Sequence, residues 1–242
     1  MKRFLIVSTI LNVLLVVGVV AIGVYTSFWT DIASRIGWTN KRIVFNQKAE
    51  DCLRGWTKSL ESLHDNVDVA FLGNSITYGG DFDQAFPQLK ICNLGYPSDD
   101  LSGMQKRIAQ IKALHPKLLF IMAGTNNLST FNEKSFKCDY SGLVTEIKRN
   151  VPDVEIYVQS ILPYNSNLCE VKFKFDRNTA TIKANEIIRM ISEENDLNYV
   201  DLYSLYVDEE GQLQESLTVD GVHLKNNAYE RWYNEIGKYI YD

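Results

Sequence analysis

The chain has 242 residues, of which 45% are hydrophobic and 23% charged, the composition of an ordinary globular protein. The formal net charge is -5, with acidic and basic residues interleaved, and this excludes the concentrated basic surface that binding to nucleic acid requires. The first part of the chain differs in character from the rest. Without it, roughly 200 residues remain, enough for one α/β domain with a buried core.

The N-terminal segment has the pattern of a membrane anchor. Lys2 and Arg3 precede an uncharged, largely apolar run from Phe4 to Tyr25. Because a helix needs ~20 apolar residues to cross a bilayer core, we predict an uncleaved transmembrane signal anchor over residues 1–25, with residues 4–25 in contact with the membrane. A cleaved signal peptide, whose apolar region is usually ~7–15 residues, and a buried core helix are the alternatives.

The charges around this span predict its orientation. Basic residues before the span place the N-terminus in the cytoplasm, so the rest of the chain would face the periplasm or the exterior, or would be secreted if the segment is cleaved. A second basic cluster, Lys41 and Arg42, weakens this prediction. Residues 26–45 form a predicted juxtamembrane connector, in which Trp29 and Trp38 either lie at the headgroup level or pack on the domain.

Residues 46–242 are predicted to form one domain of alternating helices and strands. In chain order, helical spacing or short apolar runs predict a helix over 46–64, strands over 67–72 and 89–94, a helix over 101–114, a strand over 118–123, a helix within 133–150 that runs at least from Tyr140, a strand over 154–161, a helix over 175–194, a strand over 199–202 and a helix over 228–239. This alternation predicts an α/β fold with a five-stranded parallel sheet covered on both faces, in the three-layer doubly wound (flavodoxin-like) arrangement. On the helix over 175–194, the predicted apolar face comprises Ile182, Ile187, Met190 and Ile191.

The four cysteines contain no CxxC pair and no short Cys/His cluster, so no metal site is predicted. A compartment outside the cytoplasm would permit a disulfide, and the better pair is Cys138 with Cys169, both in predicted loops. Cys92 lies in an apolar strand and is predicted to be a buried free thiol.

Two segments carry residues suited to nucleophilic catalysis. Ser75 follows a predicted strand on a turn that contains Gly73, and Asp220 and His223 are separated by three positions across an Asp-Gly turn. A serine hydroxyl becomes a good nucleophile when an imidazole takes its proton, and that imidazole needs a carboxylate to fix its tautomer. Taken singly, Ser75 is more often explained as a helix cap, and His223 as a surface histidine in a turn.

Two further loops carry hydrogen-bond donors at the ends of predicted strands. Gly95 closes the second strand and Asn126 follows the third. Because the carboxyl ends of parallel strands share one edge of a sheet, the Gly95 N–H and the Asn126 amide are expected near Ser75. Fixed donors of this kind stabilise the negative charge that develops on a carbonyl oxygen during acyl transfer.

These four pieces, in this order, resemble the four blocks of the SGNH (GDSL-like) hydrolase superfamily across nearly all of the predicted domain. The resemblance implies Ser75 as nucleophile, His223 as base and Asp220 as its orienting carboxylate. It also implies an oxyanion hole made of the Ser75 N–H, the Gly95 N–H and the Asn126 amide, and no cofactor.

The sequence departs from the family pattern at two positions. Asn74 stands where the first block often has aspartate, a variant that the family accepts, and Asn127 stands where the third block usually has aspartate. The segment 71–77 looks most like bacterial members grouped with platelet-activating-factor acetylhydrolase-like esterases.

The function that this resemblance implies is ester hydrolysis through an acyl-Ser75 intermediate. The expected substrate is a small acyl ester, with a short acyl group such as acetyl on a carbohydrate or cell-envelope carrier. Two alternatives remain open. An O-acyltransferase would use the same acyl-enzyme, and a catalytically silent module that binds glycans or a partner would keep only the fold, a reading that Asn127 favours.

Overall fold

The computed structural model describes residues 67–169 and 176–241, all of which belong to one compact unit of the chain. The predicted anchor, the connector, the helix over 46–64 and Cys52 lie outside the described residues. Within the described ranges, no helix combines the length and the apolar character needed to cross a bilayer.

Five parallel strands form a single sheet, which confirms the predicted α/β class. The strands are β1 (Val69–Gly73), β2 (Ile91–Gly95), β3 (Leu118–Met122), β4 (Glu155–Gln159) and β5 (Asn198–Val200). Their order across the sheet is β2-β1-β3-β4-β5, and every neighbouring pair is parallel. The direction of winding reverses between β1 and β3, and ligands of such sheets bind beyond the carboxyl ends of the strands at this reversal.

The α-helices of the described residues alternate with these strands. They are α1 (Ser75–Tyr78), α2 (Phe82–Ala85), α3 (Leu101–Gln105), α4 (Ile108–Leu114), α5 (Glu133–Asn150), α6 (Arg177–Glu194), α7 (Tyr203–Tyr206) and α8 (Tyr229–Ile240). Three short 3-10 turns lie at Thr125–Thr130, Glu215–Leu217 and Asn226–Ala228. The helix predicted over 101–114 is therefore two helices, α3 and α4, which meet at the buried side chain of Arg107.

Aromatic side chains form a row across one face of the sheet. Phe71, Phe120 and Tyr157 are register partners on β1, β3 and β4, and their rings stack at centroid distances of 5.3 and 4.7 Å. Phe82 continues the row at 3.8 Å from Phe71 and meets the edge of Trp232 from α8. Each such pair adds roughly 0.5–1.5 kcal/mol beyond area burial, so this face fixes α2 and α8 against the strands that lead into the site.

The buried face of α6 differs from the predicted one. Ile187 and Ile191 are buried as predicted, but Ile182 and Met190 are 46% and 44% exposed. Five residues at 100° each turn Ile182 about 140° away from Ile187, so the two side chains cannot share one face of a helix. Smaller residues occupy the buried stripe, which includes Ala184.

The described cysteines, Cys92, Cys138 and Cys169, are free thiols, and the disulfide that the sequence permits between Cys138 and Cys169 is not formed. Cys138 lies on the exposed side of α5 and not in a loop, whereas Cys169 is half-buried in the loop after β4. Cys92 is a half-buried free thiol on β2, and burial, with a contribution from Asp83, raises its pKa to about 11.

Candidate active site

The turn between β1 and α1 presents Ser75 at the carboxyl edge of the sheet. Asn74, in extended backbone conformation, is the N-cap of α1, and its Oδ1 accepts the Ile76 N–H at 2.9 Å. Ser75 is thus the first residue of the helix and not its cap, which removes the structural explanation for this serine. Gly73 permits the turn, because a Cβ there would lie 1.9 Å from Thr77 Oγ1.

Ser75, His223 and Asp220 form a hydrogen-bonded series. Ser75 Oγ lies 2.9 Å from His223 Nε2, and His223 Nδ1 lies 2.7 Å from Asp220 Oδ2. A carboxylate is an acceptor, so it holds the proton on Nδ1 and leaves the Nε2 lone pair facing the Ser75 hydroxyl. The structure therefore brings Ser75 into contact with His223, 148 positions further along the chain, and keeps Asp220 on the other side of the imidazole.

The Asp220 carboxylate is held by the turn that it belongs to. Asp220 Oδ1 accepts the N–H groups of Val222 and His223 at 3.0 and 2.8 Å. Burial raises the pKa of Asp220, but these hydrogen bonds and the His223 ring outweigh it, so the pKa lies below its ordinary value. Both side chains are about half exposed, 47% for His223 and 52% for Asp220. The Asp220 carboxylate is therefore ionised at neutral pH, and the pair is open to solvent.

The loop that carries Asp220 and His223 is fixed by backbone contacts. Gly221 adopts φ +87°, and a Cβ on it would lie 2.4 Å from Asn165 O, so glycine is required there. Asn165 N–H donates to Gly221 O at 2.9 Å. Thr218 Oγ1 accepts the Gly221 N–H and donates to His223 O, at 2.9 and 2.8 Å. The loop after β4 thereby holds the loop of residues 218–223, the histidine loop, in place.

Asn126 lies at the same edge, on the 3-10 turn that follows β3. Gly124, with φ +107°, opens this turn. One hydrogen of Asn126 Nδ2 is donated to Asp99 O at 2.7 Å, and the amide carries a second hydrogen. The side chain is half-buried, so it is oriented by the protein and remains accessible.

Gly95, a predicted donor of the oxyanion hole, lies at the end of β2. Its N–H donates to Asn93 Oδ1 at 2.8 Å and is committed within the fold. A Cβ on Gly95 would lie 2.1 Å from the backbone N of Tyr78, so the glycine is explained by close packing of α1 on β2. Asn93 completes this contact, because its Nδ2 donates to the carbonyls of Thr77 and Gly80 at 2.9 and 3.0 Å.

Asn127 performs a hydrogen-bonding task that needs no charge. Its Oδ1 accepts the Leu101 N–H at the start of α3, at 3.1 Å. An aspartate oxygen would accept the same hydrogen bond, so asparagine at this position preserves the geometry of the loop.

Sequence reasoning missed a buried ion pair next to the nucleophile turn. Arg107 is 1% exposed, and its Nε donates to Asp99 Oδ2 at 2.7 Å. Its Nη1 donates to Leu94 O at 2.6 Å and its Nη2 to Gly73 O at 2.9 Å. Burial raises the pKa of Asp99, and the neighbouring Arg107 guanidinium, which stays protonated in proteins, opposes this rise.

A sequence signal for this pair existed. Arg107 lies three residues after Met104 and four before Ile111, both fully buried, so it occupies the apolar stripe of the predicted helix. A charged residue in such a stripe indicates a buried partner.

The described residues hold no group of three or more His, Cys, Asp or Glu side chains placed to bind a metal ion. A cavity of about 590 Å³ opens elsewhere, between the N-terminal ends of α5 and α6. It is lined by Phe131, Asn132, Glu133, Lys134, Asp176, Thr179, Ala180 and Lys183. None of Ser75, Asp220 and His223 lines it, so the chemistry of the site does not depend on this cavity.

A serine, an imidazole and a carboxylate in hydrogen-bonded series at the carboxyl edge of a parallel sheet define a serine hydrolase. The chain belongs to the GDSL-like lipase/acylhydrolase family, whose profile matches residues 71–231 and so includes this series. The family is that of SGNH-type carboxylic ester hydrolases. None of the curated proteins matches the sequence.

Solved structures share the fold at low sequence identity. A GDSL-like lipase from Bacteroides thetaiotaomicron matches with a TM-score of 0.66 at 22% identity, covering 79% of this chain and 97% of its own. A lipase/acylhydrolase from Enterococcus faecalis matches with a TM-score of 0.60 at 19% identity, covering 72% and 94%. An acetyl-xylooligosaccharide esterase from Geobacillus stearothermophilus, studied as a mutant, matches with 0.59 at 17% identity, covering 73% and 94%. At these identities the likeness concerns the fold.

Proposed function

We propose that the protein is a serine esterase that hydrolyses short acyl esters through an acyl-Ser75 intermediate. The observation that carries the proposal is the pair of contacts that joins Ser75 Oγ to His223 Nε2 and His223 Nδ1 to Asp220 Oδ2, at 2.9 and 2.7 Å. Both distances lie within the range for a nucleophile with its base and for a base with its orienting group.

The geometry assigns each residue one step of the reaction. As Ser75 Oγ attacks the ester carbonyl, its proton passes to His223 Nε2. The imidazolium, stabilised by the Asp220 carboxylate, then gives this proton to the departing alcohol, and the acyl group stays on Ser75. A water molecule, deprotonated by the same Nε2, attacks the acyl-enzyme and releases the acid and free Ser75.

Two donors in this site are suited to the charge on the tetrahedral intermediate. The first is the backbone N–H of Ser75, the nucleophile itself. The second is the remaining hydrogen of Asn126 Nδ2, which is held in place because the other hydrogen is donated to Asp99 O. Gly95 is not part of this proposal, because its N–H is donated to Asn93.

The proposed substrates are acetyl or other short acyl esters of carbohydrates or cell-envelope polymers. Matched structures that are described as acetyl xylan and acetyl-xylooligosaccharide esterases support this class. Tyr78, one turn after Ser75 along the chain and 63% exposed, supports it further. An exposed aromatic ring with a polar tip suits the face of a sugar ring.

Hydrolysis of p-nitrophenyl acetate tests the role of Ser75. Ser75→Ala is expected to abolish turnover without loss of fold, because it removes the nucleophile and leaves the Asn74 cap intact. The matched control is Ser102→Ala, an exposed serine on α3, which is expected to retain wild-type turnover. Undiminished activity in Ser75→Ala would remove Ser75 from the mechanism.

Labelling with a fluorophosphonate separates an enzyme from a silent binding module. We expect one adduct, on Ser75, in the folded wild-type protein, and none after Ser75→Ala or His223→Ala. The absence of an adduct in the wild-type protein would favour the silent module.

Product analysis by mass spectrometry with a carbohydrate acceptor present distinguishes release of free acid from acyl transfer to a sugar hydroxyl.

A further inference from the structure

The guanidinium of Arg107 joins the two backbone segments that form the predicted reaction centre. Nη2 donates to Gly73 O, the carbonyl two residues before Ser75, and Nη1 donates to Leu94 O at the end of β2. Gly73 O also accepts the Tyr96 N–H at 3.0 Å. A planar fork with donors at fixed angles sets the separation of its acceptors more tightly than a flexible ammonium could. Arg107 thus fixes the start of the nucleophile turn relative to the second strand.

Asp99 extends this connection to the Asn126 amide, at the same edge of the sheet. Its side chain binds Arg107 Nε at 2.7 Å, and its backbone carbonyl accepts a hydrogen of Asn126 Nδ2 at 2.7 Å. The Asp99 N–H donates to Tyr96 O at 3.1 Å, which closes the turn. The position of Asp99 therefore sets the direction in which the second hydrogen of the Asn126 amide points.

We propose that Arg107 and Asp99 are a positioning pair that aligns the Ser75 turn with the Asn126 amide donor, a role that rests on the proposed esterase function. Neither side chain reaches the substrate, because both are buried behind the site, so neither is a catalytic residue. The pair acts on the reaction through Gly73 on one side and through Asn126 on the other.

Stability alone does not account for a buried pair at this place. Exchange of a buried ion pair for well-packed apolar residues is often neutral or stabilising, whereas removal of one partner leaves an unpaired charge. The charged and titratable groups that face the pair are Asp100 and Tyr96, both in the same loop. We therefore expect that apolar residues can replace the ion pair in the fold, whereas the Gly73 and Leu94 carbonyls would lose the donors that align them.

This difference gives a test that separates positioning from structural support. The variants are Arg107→Lys, which keeps the charge but loses the fork, and the double variant Asp99→Leu/Arg107→Met, which removes both charges. We expect kcat for p-nitrophenyl acetate to fall about 100-fold in both, the effect of roughly 1 Å misplacement, with KM little changed. The double variant is expected to regain the unfolding midpoint of the wild-type protein but not its kcat.

The control for destabilisation is Leu143→Ala, a fully buried residue of α5. It is expected to lower the unfolding midpoint while leaving kcat near wild type at temperatures where it is folded. Recovery of kcat together with stability in the double variant, or wild-type kcat in Arg107→Lys, would overturn the positioning role.

The wild-type protein distinguishes the failure of this proposal from the failure of the proposed function. Absence of a fluorophosphonate adduct on wild-type Ser75 would overturn both. An active, labelled wild type beside an equally active Arg107→Lys would overturn the positioning pair alone. Slower labelling of Ser75 in Arg107→Lys, at an unchanged circular dichroism spectrum, is the expected result.

Discussion

Asp220 is the residue on which the chemistry of His223 depends. It uses one carboxylate oxygen for two backbone N–H groups of its own turn and the other for the imidazole. The backbone of the turn therefore fixes the carboxylate independently of the histidine ring. The ring is in turn oriented by a group that cannot easily rotate. This arrangement explains why a spacing of three residues across Gly221 suffices to build the base.

Asp220→Asn is expected to lower kcat by about 10⁴, because an amide can hold the imidazole in the wrong tautomer. The free energy of unfolding at pH 7 should change by less than about 1 kcal/mol, since the side chain is half exposed and screened. Folding lowers the pKa of Asp220 below its ordinary value of 3.8. The ionised carboxylate therefore stabilises the folded state above pH 3.8, and this stabilisation is lost as the pH falls through the pKa of the folded protein.

Measurements of kcat and of urea unfolding at pH 7 and pH 3 check both statements. The stability difference between wild type and Asp220→Asn should be present at pH 7 and smaller at pH 3. A loss of activity that follows a loss of folded protein would contradict an orienting role for the carboxylate.

Asn127 tests whether the third block needs a charge. Asn127→Asp keeps an oxygen for the Leu101 N–H and is expected to have kcat within a few-fold of wild type. Asn127→Ala removes the acceptor and is expected to cost about 1 kcal/mol of stability, the value of a helix cap, with a lower kcat. Chemical denaturation and steady-state kinetics on the two variants decide the matter. A tenfold gain in Asn127→Asp would show that the charge itself contributes.

At the scale of elements, the packing of α1 on β2 determines where the nucleophile sits. Gly95 lets the backbone of Tyr78 approach β2, and Asn93 fastens the end of α1 by its two donated hydrogen bonds. The close approach of Tyr78 thus requires glycine at position 95, a residue that the sequence singled out only as a hydrogen-bond donor.

Gly95→Ala is expected to displace α1, because the new methyl group would lie 2.1 Å from backbone that cannot move aside like a flexible side chain. Overpacking of this kind costs about 1–3 kcal/mol, and kcat should fall because Ser75 begins the displaced helix. The control is Gly142→Ala on α5, where the nearest atom is the flexible Gln105 Nε2 at 3.1 Å. Thermal unfolding and ester turnover should be near wild type in the control, and unchanged values in Gly95→Ala would refute the packing explanation.

The elements that could be predicted are those with local signals. The bounds of α5 coincide with the prediction over 133–150, because Asn132 caps its first turn through Ser135 N–H and an apolar period runs through it. The strands are shorter than predicted, since apolar residues such as Val154 and Ile161 remain buried beyond the last ladder partners. An apolar run in the sequence indicates which residues are buried, and buried residues continue beyond the ends of the strand.

The break between α3 and α4 had no local signal. The sequence over 101–114 contains no proline, and its single glycine, Gly103, is tolerated within α3. What the sequence lacks is the information that Arg107 finds acceptors on β1 and β2, which are close in space and distant along the chain. The same holds for Gly95, since only the packed helix shows that a side chain at this position would meet the backbone of Tyr78.

At the scale of the whole molecule, topology brings the site together. Because all five strands are parallel, every loop after a strand emerges at one edge, and the residues after β1 and β3 are neighbours at the reversal of winding. The histidine loop comes from beyond β5 and reaches the same edge through its contact with Asn165 after β4. The proximity of Ser75 and His223 could therefore be predicted from the order of the motifs along the chain and from the fold class. The distances between their atoms could not.

We propose that residues 4–25 anchor the protein in a membrane, with the esterase domain outside the cytoplasm. Arginine at the centre of a membrane-spanning helix costs about 2.5–3.5 kcal/mol. In the full chain, Leu15→Arg/Val19→Arg is therefore expected to move the protein from the carbonate-resistant membrane fraction to the soluble one. Asn40→Arg, beside the existing basic cluster of the connector, is the matched control and should stay with the membrane.

Intact mass distinguishes the remaining outcomes of this fractionation. A membrane-bound protein that retains Met1 or Lys2 at its N-terminus is the expected result, because the apolar run is longer than the core of a cleaved signal usually is. A shorter chain recovered in the medium or periplasm would show a cleaved signal. A full-length chain in the cytosol would contradict the anchor and would make the run from Phe4 to Tyr25 part of a core, and esterase substrates would then have to be sought inside the cell.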